Sequence, residues 1–302
     1  MPSQEDILNQ INKIVEESAA KFNDKIPGWT DRIWRQLQVL FKQIDTKGDK
    51  IVPSIKNLRL VGTIGRKLEK IIVDKEYLSD VKNYITAFND ITKYQNEYFQ
   101  SLEAKFKPTA LLQAIREQAV SSTIDGLTEA GLGDMKGNIK TTLQKNITTG
   151  GSYKELMKTM SGIVTDTNKS ESSFSTKIKT YTITSVAQYS RNYSQTVAEG
   201  LNFQWFQYVG SVITTTRCFC HAMVKKRYFH KSEIPDIIKG DFDEFREREC
   251  DINDNTDLPD GLIKGTNVSN FMTYAGGWNC QHSIFPVPPS AVPQELRDKF
   301  KD

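Results

Sequence analysis

The chain has 302 residues, of which 38% are hydrophobic and 25% charged, a balance typical of a globular protein with much polar surface. No apolar run approaches the roughly 20 residues that a membrane-spanning helix requires, and the first residues lack the basic and apolar segments of a secretion signal. Four cysteines are too few for a disulfide-based scaffold. We therefore expect a protein of the cytoplasm, or of a particle assembled there, without a membrane segment.

The net charge of +3 is unevenly distributed. The segment 233–260 contains eleven acidic and three basic residues, so it carries a charge of −8 and the rest of the chain carries +11. A diffuse positive excess permits nonspecific contact with DNA phosphates. The alternative is that helices simply expose charges of both signs to solvent, which is the more common origin of such a distribution.

Residues 1–107 are predicted to form a helical region, because apolar residues recur there at helical spacing. The cluster 47–49 (Lys-Gly-Asp) is expected to end one of these helices. The longest helix, over 77–106, carries a stripe of Tyr and Phe. Such a stripe favours core packing or a partner-helix interface over a surface on which nucleic-acid bases stack. Pro108 marks the first predicted domain boundary.

Residues 108–202 are predicted to form a second helical region. A glycine pair at 150–151 ends one helix. Ser152, with Glu155 three residues later, forms a capping box that begins the next one. A long helix is predicted over 176–200, where apolar residues again follow a helical period.

The character of the sequence changes after Gly200. Residues 203–210 are aromatic and β-branched, which is typical of a strand. From there to the end the chain is rich in turn-forming residues and contains all four cysteines and all three histidines. The predicted fold is therefore mainly α, with elongated helical regions at 1–107 and 108–202 followed by a small α+β module at 203–302.

The C-terminal module concentrates the residues that could bind a metal. Two clusters each offer thiol and imidazole groups, C-F-C-H at 218–221 and C-Q-H at 280–282. A tetrahedral zinc site takes four such ligands, usually from C-x₂₋₄-C pairs, and the C-x-C and C-x-H spacings here are tighter. The zinc candidates are Cys218, Cys220, His221, Cys280 and His282. The alternative is a chain without a cofactor, in which Cys220 and Cys280 are buried as small apolar residues or as a close thiol pair.

Common enzyme motifs are missing from the sequence, including G-x-S-x-G, the P-loop, H-E-x-x-H and the dinucleotide-binding fingerprint. A Cys–His nucleophilic pair, formed by Cys220 or Cys280 with one of the histidines, is a further candidate. Nothing in the sequence orients or activates such a pair. We therefore expect that the protein is not an enzyme.

Five segments follow one another in a distinctive order. They are T-G-G-S-Y-K-E-L at 149–156, the helix at 176–200, Y-V-G-S at 208–211, T-R-C-F-C at 216–220 and G-G-W-N-C-Q-H-S-I-F-P at 276–286. In this order they resemble the Mu F-like head morphogenesis proteins of tailed bacteriophages. The last two segments are the specific ones, and the resemblance covers about 109–286. Many family members have C-x-x-C where this chain has C-x-C, and Arg where it has Gln281.

The resemblance implies a minor capsid protein that acts at or near the portal vertex during head assembly and DNA packaging, with residues 108–202 as its helical head-morphogenesis core. Its expected partners are the portal or other head proteins, in a multimeric assembly, with nonspecific contacts to packaged DNA. The expected location is the virion, assembled in the host cytoplasm. A zinc-stabilised nucleic-acid-binding module and, third, a Cys–His enzyme remain as alternatives.

The resemblance also singles out residues within the specific motifs. Besides the two cysteines these are Arg217, Gly276, Gly277 and Asn279. Cys220 closes the first of these motifs and Cys280 lies in the second, and we expect the two to lie close together as a structural pair. Cys250 lies in a charged run and is expected outside this cluster.

Overall fold

The computed structural model describes residues 3–166 and 171–300 of the chain. The structure is 67% helical, and its strands form small sheets, of which the three-stranded one lies near the C-terminus. This confirms the predicted fold class, a mainly α protein with a small α+β C-terminal module. None of the helices in the described part of the chain is both long and apolar enough to cross a lipid bilayer.

The first 200 residues form a succession of helices interrupted by one short hairpin. In chain order the elements are α1 (Gln4–Asn23), α2 (Ile26–Phe41), β1 (Thr46–Lys47), β2 (Lys50–Ile51), α3 (Ile55–Ile72), α4 (Lys75–Leu102), α5 (Ala110–Asp125), α6 (Gly131–Thr149), α7 (Tyr153–Val164) and α8 (Ser173–Gly200). A π-helical turn, Gly126–Ala130, connects α5 to α6. The predicted long helix at 176–200 is therefore present as α8 and begins three residues earlier.

The hairpin of β1 and β2 lies where the sequence predicted only the end of a helix. Gly48 adopts a positive φ of 62° in its turn, and Lys47 pairs with Lys50. Two-residue strands are stable here because the loop before α7 adds contacts: Ile51 donates its N–H to the carbonyl of Gly151 at 2.9 Å. The carboxylate of Asp49 accepts a hydrogen bond of 2.5 Å from the Ser152 hydroxyl. These partners are about 100 residues away in sequence, so local patterns could not indicate them.

The described residues form two compact units, each assembled from segments that are distant in sequence. One unit comprises 1–18, 86–120 and 183–302, and the other comprises 19–85 and 121–182. This division differs from the three consecutive regions predicted with boundaries at 108 and 203. Breakers such as Pro108 mark where the chain turns, whereas the units are defined by which helix segments pack together.

Aromatic side chains form the core of the unit that contains 19–85. Phe22 and Trp29 lie with ring centroids 4.8 Å apart, and Trp29 contacts Tyr77 at 4.9 Å. The hydroxyl of the buried Tyr77 donates to the carbonyl of Leu127 at 2.8 Å. In the other unit Tyr98 is equally buried. The Tyr and Phe stripe of the long predicted helix, now α4, is therefore core packing in both units.

The C-terminal part begins with a strand, as predicted. Its elements are β3 (Trp205–Val209), α9 (Cys218–Lys226), β4 (Tyr228–His230), α10 (Ile234–Lys239), α11 (Asp243–Glu247), β5 (Ile252–Asn253), β6 (Leu258–Pro259), α12 (Phe271–Tyr274), β7 (Ser283–Val287) and α13 (Gln294–Asp298). β3 is the central strand of an antiparallel sheet with the order β4-β3-β7. One face of this sheet packs with α9 and α12 around Phe219, Phe229 and Phe271.

Replacing Ser152 with Ala is expected to lower the free energy of unfolding by more than replacing Ser54 does. Both hydroxyls cap a helix through a bond of 3.1 Å, to the N–H of Glu155 and of Asn57, and losing a cap costs about 1 kcal/mol. Ser152 alone also bonds to Asp49. Urea unfolding followed by circular dichroism measures both losses, and equal losses would contradict the role of the Asp49 bond.

The difference in stability between these two variants is expected to depend on pH. The Ser152 hydroxyl holds the pKa of Asp49 below its ordinary value. A lowered folded-state pKa stabilises a protein above the ordinary pKa of aspartate, and this stabilisation is lost as the pH falls through the folded-state pKa. The stability difference between Ser152→Ala and Ser54→Ala should therefore narrow in acid.

Candidate functional site

Four side chains from β3, α9 and the approach to β7 meet in the buried interior of the C-terminal module. The sulfurs of Cys220 and Cys280 are 3.9 Å apart, and neither cysteine is in a disulfide. The Tyr208 hydroxyl lies 3.4 Å from the sulfur of Cys220 and 3.7 Å from that of Cys280. Nδ1 of His282 lies 3.5 Å from the Cys280 sulfur. The predicted proximity of Cys220 and Cys280 is thus confirmed.

Glycine at position 276 makes this close approach possible. Its φ is +80°, and a Cβ atom there would lie 2.1 Å from the sulfur of Cys280 and 3.1 Å from that of Cys220. Gly277 follows with a φ of +73°, and its Cβ would lie 2.5 Å from the carbonyl oxygen of Gly261. Side chains are excluded at both positions on two grounds, the backbone conformation and the lack of space.

Two other motif residues hold the same stretch of chain. Nη1 of Arg217, the residue just before α9, donates to the carbonyl of Gly276 at 2.8 Å. Asn279 adopts a positive φ of 62°, which Asn tolerates better than most residues, and its N–H donates to the Thr184 hydroxyl at 3.1 Å. The motif residues Arg217, Gly276, Gly277 and Asn279 therefore shape the backbone around the cysteines.

A buried arginine on α8, which the sequence analysis did not single out, belongs to the same region. Arg191 is 1% exposed and donates from Nη1 to the carbonyl of Ala275. Its Nε and Nη2 atoms have no hydrogen-bond partner among the residues that the structure describes. One feature of the sequence could have indicated the burial of Arg191: it lies four residues after Ala187, on the apolar face of a predicted helix, where a charged residue is rare.

The surroundings of the two free thiols shift their pKa values in opposite directions. A hydrogen bond from Cys220 lowers the pKa of Cys280, and contact with His282 and the positive charge of Arg191 lower it further. The same thiol–thiol hydrogen bond, together with burial, raises the pKa of Cys220. Burial and the neighbouring sulfurs raise the pKa of Tyr208. Of the two thiols, Cys280 is therefore the more easily deprotonated, and the Tyr208 hydroxyl donates to the sulfur of Cys220.

Two of the five predicted metal ligands are not part of this cluster. Cys218 forms a disulfide with Cys250, with Cα atoms 5.6 Å apart, so its thiol is not available to a metal. Cys250 lies outside the cluster as predicted, but its pairing was missed because it joins two residues that are 32 positions apart in sequence. His221 lines a separate surface pocket with Glu247 and Arg248. Successive residues on a helix point about 100° apart, which separates His221 from its neighbour Cys220.

The remaining three candidates come together. In the described part of the chain, Cys220, Cys280 and His282 form a group whose ligand atoms all lie within 4.8 Å of one another. A cavity of about 190 Å³ borders them, and its wall also includes Glu16 of α1 and Arg217. The three groups and the cavity are the candidate functional site.

The site lacks one feature of a Cys–His nucleophile. A catalytic imidazole is normally oriented by a third group on its far nitrogen. Nε2 of His282 is buried and has no hydrogen-bond partner within residues 3–166 and 171–300. The sulfur of Cys280 is also only 4% exposed. These two features distinguish the arrangement from that of an activated Cys–His pair.

The chain matches no protein-family model, and neither the curated proteins nor the solved structures include one with significant similarity to it.

Gly276→Ala is expected to destabilise the protein by about 2–4 kcal/mol, because it adds left-handed strain and overpacks the thiol pair. Gly265→Ala is the matched control: its φ is +91°, but no atom lies within 4 Å of the added Cβ, so only strain of about 1 kcal/mol applies. Denaturant unfolding separates the two contributions. Similar losses in both variants would show that the close packing against Cys280 is not important.

Loss of the Cys218–Cys250 disulfide is expected to lower the free energy of unfolding by about 3–4 kcal/mol, on the loop-entropy estimate for a separation of 32 residues. Cys218→Ala, Cys250→Ala and the double variant should all unfold alike, and none should respond to added reductant. Additive losses in the double variant would indicate that the two cysteines contribute independently and would contradict the pairing.

Proposed function

We propose that this protein is a minor head protein of a tailed bacteriophage that acts in head assembly or DNA packaging at or near the portal. The observation that carries the proposal is the convergence of the motif residues. Arg217 and Cys220 come from one motif, and Gly276 and Cys280 from another about 60 positions later. They contact one another in a single buried arrangement.

This convergence bears on how the resemblance is interpreted. Isolated letters in a motif can match by chance, and helical segments match many proteins. Here the matched residues depend on one another physically: Arg217 holds the Gly276 carbonyl, and Gly276 leaves the space that the two sulfurs occupy. A resemblance built from mutually dependent residues supports a shared structural module, and with it the role of the family. Fold alone does not establish that role.

The physical character of the module suits a structural component. Its core brings together side chains from the sheet, α9 and α12, and the Cys218–Cys250 disulfide ties α9 to the end of α11. A compact unit with a single packed core presents a fixed surface to a partner, which reduces the entropy lost on binding. We infer that the partner is the portal or another head protein and that the protein is multimeric in the particle.

The charge distribution disfavours the alternative of a zinc-stabilised nucleic-acid-binding module. Residues 203–302 contain 12 basic and 14 acidic side chains, a net charge of −2. Binding to nucleic acid depends on neutralising phosphates with Lys and Arg. The excess positive charge lies in residues 1–202, so any contact with packaged DNA is expected there and not on the module that carries the cysteines.

Quantitative mass spectrometry of purified particles tests the proposed role. We expect the chain at low copy number relative to the major capsid protein, both in mature virions and in precursor heads. Chemical cross-linking should join it to the portal or to a neighbouring head protein. A cytoplasmic protein of the same infected cells that is not part of the particle serves as the contamination control. A chain recovered only free in the cytoplasm, at the level of that control, would overturn the proposal.

A further inference from the structure

We propose that Cys220, Cys280 and His282 form a three-ligand site for Zn²⁺ whose fourth coordination position opens into the adjoining cavity. The site is supported by two distances between ligand atoms, by the burial of the ligand residues and by the fit of the backbone around them. The proposal is independent of the role in head assembly, because metal content can be measured on the isolated protein.

The distances fit a tetrahedral zinc ion. Zinc bonds of about 2.3 Å to sulfur and 2.0–2.1 Å to nitrogen place two sulfurs about 3.8 Å apart and a sulfur and a nitrogen about 3.6 Å apart. The observed separations are 3.9 Å between the sulfurs of Cys220 and Cys280 and 3.5 Å between the Cys280 sulfur and Nδ1 of His282. All three ligand atoms lie within 4.8 Å of one another. The third separation, between the Cys220 sulfur and the His282 nitrogen, therefore reaches the ideal value with a shift of at most about 1.2 Å.

The imidazole of His282 is in an environment that a metal bond would improve. The residue is 7% exposed, its Nδ1 has only a thiol contact of 3.5 Å, and its Nε2 has no partner in the described part of the chain. A buried polar nitrogen without a good hydrogen bond destabilises the folded state. Coordination of one ring nitrogen to zinc replaces the missing interaction.

The backbone is fitted around the ligand side chains on two sides. Gly276 leaves space beside both sulfurs. Gly210, at the end of β3, has a φ of +152°, and a Cβ there would lie 2.5 Å from Cδ2 of His282. Both glycines sit where a side chain would displace a proposed ligand.

The fourth position differs from that of a closed structural site. A structural zinc site has four protein ligands, whereas here only three come together among the described residues. The cavity of about 190 Å³ lies against all three. Glu16 is the one carboxylate among the residues that line this cavity. We assign the fourth position to a water molecule that small ligands can exchange.

Metal analysis of the full-length protein, purified without chelators, is the first test. We expect one zinc per chain. Replacement by Co²⁺ should produce a thiolate-to-cobalt charge-transfer band and the intense visible bands of tetrahedral cobalt. Cys220→Ser, Cys280→Ser and His282→Gln should each weaken zinc binding by about 100-fold or more, since changes even to groups that only support the ligands cost 10–100-fold.

Cys218 and His221 provide matched controls, because each lies within two residues of Cys220 in sequence but outside the cluster. Cys218→Ser and His221→Gln should keep one zinc per chain and the same cobalt spectrum. Loss of zinc in these variants, with the helical circular dichroism retained, would overturn the ligand assignment. So would a wild-type protein that binds neither metal while peptide mapping shows a Cys220–Cys280 disulfide.

Exogenous ligands test the open position. Azide or imidazole added to the cobalt form should shift the visible bands, because an exchangeable water is replaced. Glu16→Gln should leave this response unchanged. If the wild-type spectrum does not respond and the Glu16→Gln spectrum does, Glu16 is the fourth ligand and the open position is wrong. Particle association, measured separately, does not enter either result.

Discussion

The close contact between the backbone at Gly276 and the sulfurs of Cys220 and Cys280 is the constraint on which the rest of the C-terminal module depends. The chain can pass this near to α9 only where no Cβ is present. That approach places the Gly276 carbonyl within reach of Arg217 and aligns the following residues with β7, which pairs with β3. Substituting any of these residues changes the same small volume, so their effects on stability should be coupled.

Charge is the second condition that the module has to satisfy. A guanidinium as deeply buried as that of Arg191 is costly unless nearby groups compensate it. The Ala275 carbonyl provides one hydrogen bond, and Arg191 adds to the lowering of the Cys280 pKa, after the hydrogen bonds from Cys220 and His282. In the proposed zinc site, two thiolates would offset the charge of the ion. The residues that compensate the buried arginine thus adjoin those of the proposed zinc site.

The four cysteines divide into two pairs with different chemistry. Cys218 and Cys250 are only half-buried and form a disulfide, whereas Cys220 and Cys280 are buried and keep their sulfurs 3.9 Å apart. The cytoplasm, where the proposed assembly takes place, keeps thiols reduced. In that compartment the first pair would act through packing alone, and its crosslink would add stability after release from the cell. The second pair, placed beside His282, does not need oxidation to hold the module together.

The sequence by itself determined the features that depend on neighbours along the chain. Helical periodicity identified the mainly α fold, the aromatic run after Gly200 predicted β3, and the Ser152 hydroxyl caps α7 as its motif indicates. The proximity of Cys220 and Cys280 also followed from the sequence, through the motifs that contain them. Tertiary structure alone decided the hairpin at Gly48, the pairing of Cys218 with Cys250 and the burial of Arg191. Each of these features depends on contacts between residues far apart in sequence. Local sequence patterns do not contain information about the free energy of such contacts.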